Sequence, residues 1–142
     1  KAQQHAVTYD TNIDVLTIVK DICDLKQVCT QSAGLRPFGV SMLVAGVDDD
    51  GEVRLFLTEP YGIYFQYKAA VIGEGEGEID PILQKKYKAN MSMQDGIKLG
   101  LDAMKSFLGT SFNTERVDVV YVGVDKKRFT KMSADEIKKL VK

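Results

Sequence analysis

Arg36-Pro37-Phe38-Gly39 followed by Val40-Ser41-Met42-Leu43-Val44-Ala45-Gly46-Val47 decides the architecture of this chain. Pro37 fixes its own φ, disfavours helix at Arg36 and has no N–H to donate, so a helical pattern arriving from upstream must stop and the chain must continue extended. The apolar run then reads as a strand, and Asp48-Asp49-Asp50-Gly51 ends it. The next run, Glu52-Val53-Arg54-Leu55-Phe56-Leu57-Thr58, follows after so short a turn that the two strands must be antiparallel. Glu59-Pro60-Tyr61-Gly62 has Pro and Gly where a tight reversal wants them, and residues 63–72 come back as a third strand. The expectation is a meander.

Upstream, Val15, Ile18, Val19, Ile22, Leu25 and Cys29 recur at three- and four-residue spacing behind a cap at Asp14, while Lys20, Asp24 and Lys26 fall mostly outside that stripe. This predicts a helix that ends at Ser32-Ala33-Gly34, where Gly34 supplies the left-handed closing residue. Residues 1–7 carry no start signal. Downstream, Ile79, Ile82, Leu83 and Tyr87 mark a helix with Pro81 in its first turn. Ser92-Met93-Gln94-Asp95 then caps another helix, faced by Ile97, Leu101, Met104 and Leu108 up to Gly109. Gly96 and Gly100 strip one side of it, which predicts close packing there. Residues 117–124 are so continuously apolar that they read as a strand buried in mid-sheet. A brief strand over 128–132 and a capping box, Ser133-Ala134-Asp135-Glu136, lead into a last helix running to Lys142.

With 142 residues, 44% of them hydrophobic and 27% charged, the chain has the make-up of a single globular domain, 1–142. No window approaches the roughly 18 apolar residues of a membrane span. Nineteen basic residues against twenty acidic ones, without a basic stripe, argue against nucleic acid as a partner. Cys23 and Cys29 point about 120° apart on a helix and cannot bridge, which fits a reducing compartment.

The motifs that could carry chemistry each have a plainer explanation. Gly73-x-Gly75-x-Gly77 precedes a helix as a phosphate cradle would, but Glu74 and Glu76 put negative charge where the anion should sit. Asp48-Asp49-Asp50-Gly51 could open a calcium loop, yet the later ligand positions fall on Val53, Leu55 and Leu57. His5 is the only histidine and stands without a fixed neighbour for a nucleophilic dyad. No cofactor or metal is called for.

Arg36-Pro37-Phe38-Gly39-Val40-Ser41 nevertheless resembles a turn of the proteasome core-particle subunits. The resemblance extends over Ile22-Cys23-Asp24-Leu25-Lys26-Gln27, Ala45-Gly46-Val47-Asp48, Thr58-Glu59-Pro60-Tyr61-Gly62, Tyr67-Lys68-Ala69 with Ile72-Gly73-x-Gly75, and Phe129-x-Lys131-Met132-Ser133-x-x-Glu136-Ile137. It implies an αββα sandwich of the N-terminal-nucleophile hydrolase type. On that comparison the chain is a C-terminal portion with the N-terminal half absent, incomplete alone and prone to oligomerise through unpaired edges.

Within the family the resemblance favours the α type over the catalytic β type. Glu74 stands where a β subunit has Ser between its glycines, Thr110-Ser111-Phe112-Asn113-Thr114 lacks the β-type Asp, and Lys1 is no threonine nucleophile. The implied function is a non-catalytic, archaeal-like subunit of a heptameric α-ring, part of a threonine endopeptidase complex without being an enzyme itself. The alternatives are a β-type threonine peptidase subunit and a stand-alone binding module of the same fold. The implied partners are other α subunits, β subunits, an ATPase or other regulatory cap, and unfolded proteins in transit. The implied location is cytoplasmic, and nuclear as well in a eukaryote. The resemblance aims Ser32, Ala33, Gly34 and Leu35 at the ring axis as a substrate-entrance loop, with Arg36 anchoring its base; the family's turn commonly reads Tyr-Gly-Gly-Val at those four positions.

Overall fold

The computed structural model describes residues 2–141. Lys1, read as no threonine nucleophile, and Lys142, read as the end of the last helix, lie outside the described residues. The chain gathers into two compact units that divide between Lys68 and Ala69.

The first unit holds helices α1 (Ala2–Tyr9) and α2 (Val15–Gln31) and strands β1 (Met42–Val47), β2 (Val53–Thr58) and β3 (Tyr64–Gln66). The strands form an antiparallel sheet in the order β1-β2-β3, with Val44 opposite Phe56 and Thr58 opposite Tyr64. Both reversals close as their glycines require. Gly51 (φ 86°) donates to the Asp48 carbonyl at 2.9 Å, and Gly62 (φ 84°) donates to the Glu59 carbonyl at 3.1 Å. The third strand is shorter than the expected 63–72. The Tyr67 N–H still reaches the Leu55 carbonyl, at 2.9 Å, and the ladder then ends.

Asp14 caps α2 by accepting the Thr17 N–H at 2.8 Å. The helix lays Val15, Val19 and Cys23 on Phe56, with Val44 and Tyr64 packed alongside. Phe56 is only 3% exposed, which stabilises the unit by about 2–3 kcal/mol from that side chain. Gly46 lets the helix sit down on the sheet, since a Cβ there would lie 2.6 Å from Val15 Cγ2. On the sheet face away from α2, Leu43, Leu57 and Phe65 stand in one row, the outer two exposed.

The second unit holds α3 (Glu76–Lys86), α4 (Met93–Leu108), β4 (Val120–Val122), β5 (Phe129–Lys131) and α5 (Ala134–Leu140). Its core is Leu101, Val117 and Ile137, with Ile97, Phe112, Val119, Met132 and Leu140 around them. Ser92 and Ser133 cap α4 and α5 as their spacing predicts, the latter in a full capping box with Glu136. Pro81 lies deeper in α3 than expected, because the helix begins at Glu76. Only three residues of the 117–124 run are strand, paired with β5 alone in a two-stranded sheet. Val120 and Val124 are exposed while Val117 is buried, so the run is covered on one side and does not lie in mid-sheet.

The expected αββα sandwich lacking its N-terminal half is therefore corrected. Two helices precede β1, a helix closes the described chain, and the strands divide into a three-stranded and a two-stranded sheet. The physical reason is the stripe on α2. It covers the meander with a helix that belongs to this chain, so the unit makes its core from its own leading elements.

Candidate functional site

Helix α2 stops where sequence places the stop. The Ser32 N–H donates to the Val28 carbonyl at 3.1 Å, Gly34 turns left-handed at φ 97°, and the Leu35 N–H returns to the Ser32 carbonyl at 3.2 Å. From there to Val40 the chain has no regular secondary structure and is exposed. Ala33, Gly34, Leu35 and Arg36 are exposed and Ser32 is half-buried, so these five neighbours share one surface turn. Phe38 and Val40 also present apolar surface to solvent. Arg36 makes no hydrogen bond or ion pair among the described residues.

A buried cation beside this turn that sequence reasoning missed is Lys26. It is 1% exposed, with its Nζ donating to the Val40 carbonyl at 2.9 Å, to Thr58 Oγ1 at 2.9 Å and to the Glu59 carbonyl at 3.2 Å. An ammonium-bearing side chain reads as surface from composition alone. The available signal was its phase, because Val15, Val19, Cys23 and Lys26 follow the 4-4-3 spacing of one helical face. Leu25, counted into the stripe, is 56% exposed instead. Gly62 completes the seam: a Cβ there would lie 2.7 Å from the Cys23 carbonyl oxygen.

The other candidates resolve into structure. In the first turn, Asp48 accepts the Val15 N–H at 2.9 Å and pairs with Arg54 at 3.3 Å, Asp49 accepts from Asn12 at 3.0 Å, and Asp50 accepts the Glu52 N–H at 2.8 Å. Asp48 thus ties the start of α2 to the hairpin and Asp49 ties the stretch before it, beside an open groove of 590 Å³. Gly75 lies against the Phe107 ring, 2.8 Å from an added Cβ, and Gly73 turns left-handed at φ 119°, so those two glycines answer a packing and a backbone need, while a Cβ at Gly77 would meet nothing within 4 Å. His5 Nδ1 is 3.2 Å from the Thr11 carbonyl and its ring contacts Tyr9. Burial pushes the Cys23 thiol above its ordinary 9.0, which disfavours the nucleophilic thiolate. Among the described residues no helix is long and apolar enough to cross a membrane.

A family model described as the proteasome subunit matches residues 1–122. The chain is similar to proteins named proteasome subunit alpha: over 141 residues it is 39% identical to that of Methanocaldococcus jannaschii, covering 99% of this chain and 53% of that protein. For Pyrobaculum aerophilum the identity is 42% over 140 residues, covering 99% and 57%. For Archaeoglobus fulgidus it is 40% over 141 residues, covering 99% and 56%. The chain thus spans about half the length of these relatives. The expectation of a match as a C-terminal portion only is corrected by the extent of the similarity, which runs along 99% of this chain.

Proposed function

Because this chain belongs to the proteasome subunit family, we propose that it acts as a non-catalytic α-ring subunit that narrows the way into a proteolytic chamber, working in the cytoplasm. The observation that carries this reading is the similarity to alpha subunits along 99% of the chain. Ring neighbours of its own kind, β subunits, an ATPase or other cap and unfolded proteins in transit are the partners this role requires. Within it, the exposed turn of Ser32, Ala33, Gly34, Leu35 and Arg36 serves as the entrance loop. A short turn held between a helix end and a strand is a stiff mount for a constriction, and small side chains at Ser32 and Ala33 leave room for an unfolded chain.

The test is Ala33→Trp in the protein assembled into rings with β subunits. Degradation of an unfolded protein should slow on the order of tenfold, about 1.4 kcal/mol of barrier, while cleavage of a short peptide and ring assembly are unchanged. Equal slowing of both substrates, or of neither, overturns the entrance role.

A further inference from the structure

Between the end of α2 and the start of β1 lie ten residues, 32–41, that cross the surface without a strand partner. At the helix end they are held by the Leu35 N–H to Ser32 carbonyl bond. Through 36–39 no hydrogen bond ties them to the rest of the described chain. The next fixed point is the Val40 carbonyl, and what fixes it is Lys26 Nζ at 2.9 Å.

The other acceptors of Lys26 belong to a different stretch. Thr58 Oγ1 and the Glu59 carbonyl stand at the end of β2 and the start of the turn into β3. Three N–H donors therefore meet acceptors from two stretches that have no ladder bonds to each other at this point, since the β1–β2 register starts at Met42 opposite Thr58. An apolar residue could fill this volume without giving up hydration, whereas a buried lysine must recover the loss through its hydrogen bonds. Ser41 Oγ to the Glu59 carboxylate, at 3.4 Å, is a weaker second tie in the same place.

We propose that Lys26 is the positioning residue of the 32–40 loop, its Nζ clamping the Val40 carbonyl to the β2–β3 turn so that the loop keeps one shape while chains pass it. The loop's part in substrate entry rests on the reading above; the clamp itself does not.

The experiment compares Lys26→Met with the parent in rings assembled with β subunits, by the rate of chymotryptic cleavage after the exposed Phe38, by hydrogen exchange over Val53–Thr58 and by degradation of an unfolded protein beside a short peptide. Removing the donors should speed cleavage after Phe38 severalfold and leave Val53–Thr58 protected. Degradation of the unfolded protein should slow severalfold while peptide cleavage holds. A loosened loop with both substrates unaffected upholds the clamp and overturns the entrance reading. Unchanged cleavage after Phe38, or faster exchange over Val53–Thr58, overturns the clamp. If Lys26→Met does not assemble, Lys26→Gln, one bond shorter and uncharged but still polar, is read by the same outcomes.

Discussion

At Gly46 and Gly62 an added Cβ would come within 2.6 Å of Val15 Cγ2 and 2.7 Å of the Cys23 carbonyl oxygen, whereas at Gly96 and Gly100 it would meet nothing within 4 Å. Both pairs sit in amphipathic surroundings. In the first unit the glycines lie on the sheet and its turn, directly under α2, and they set how closely the helix approaches. In the second they lie on α4 itself and face open space, so the close packing expected of a four-residue glycine spacing is absent among the described residues. The lesson is that a glycine's role follows from what stands opposite it, and spacing along one helix says nothing about that.

The largest test of this contrast is Gly62→Ala. The residue has φ 84°, a region that strains an L side chain, and its new methyl would lie 2.5 Å from Gln27 Cγ and 2.7 Å from the Cys23 carbonyl oxygen, backbone that cannot turn aside. Left-handed strain of ~1–2 kcal/mol and overpacking of ~1–3 kcal/mol point the same way. Urea denaturation should show a loss of about 3 kcal/mol. A loss under ~1 kcal/mol would mean that α2 moves away freely and that the seam is not close-packed.

Gly100→Ala should act in the opposite direction. With open space around it, the substitution exchanges the poorest ordinary helix former for the best and should stabilise the chain by about 0.5–1 kcal/mol. Thermal unfolding followed by helix signal checks the sign. Stabilisation of the isolated chain together with weakened assembly would show that another chain needs the bare stripe.

What could be read from the sequence was what local chemistry dictates. Pro37, Gly51 and Gly62 fix where the chain turns whatever surrounds it, so the meander's order and the stop of α2 were legible. Asp14, Ser92 and Ser133 cap their helices for the same reason. What failed depended on distant partners. The apolar run over 117–124 looks identical whether covered on one face or two, and Lys26 looks like a surface residue until the carbonyls of Val40 and Glu59 surround it. The turn of Ser32 to Arg36 was legible as a turn. Its anchor was not, because the acceptors come from residues up to 33 positions away.

The smallest effect lies in the first turn of α2. The Asp14 carboxylate accepts Thr17 Oγ1 at 2.7 Å and the Thr17 N–H at 2.8 Å, and these bonds, the side-chain one foremost, hold it below its ordinary 3.8. A carboxyl lowered on folding adds stability that is present above the unfolded value and is lost as pH falls through the folded one. The window therefore opens near pH 4 and extends downward. Asn at the same position still caps but does not titrate, so Asp14→Asn isolates the charge. In an exposed first turn that charge is worth about 0.5 kcal/mol at low salt and less when screened. Melting curves should show the parent ahead of Asp14→Asn by that margin at pH 6, with the gap closing below pH ~4. A gap that stays constant from neutral pH to pH ~3 would mean that the carboxylate contributes through shape alone.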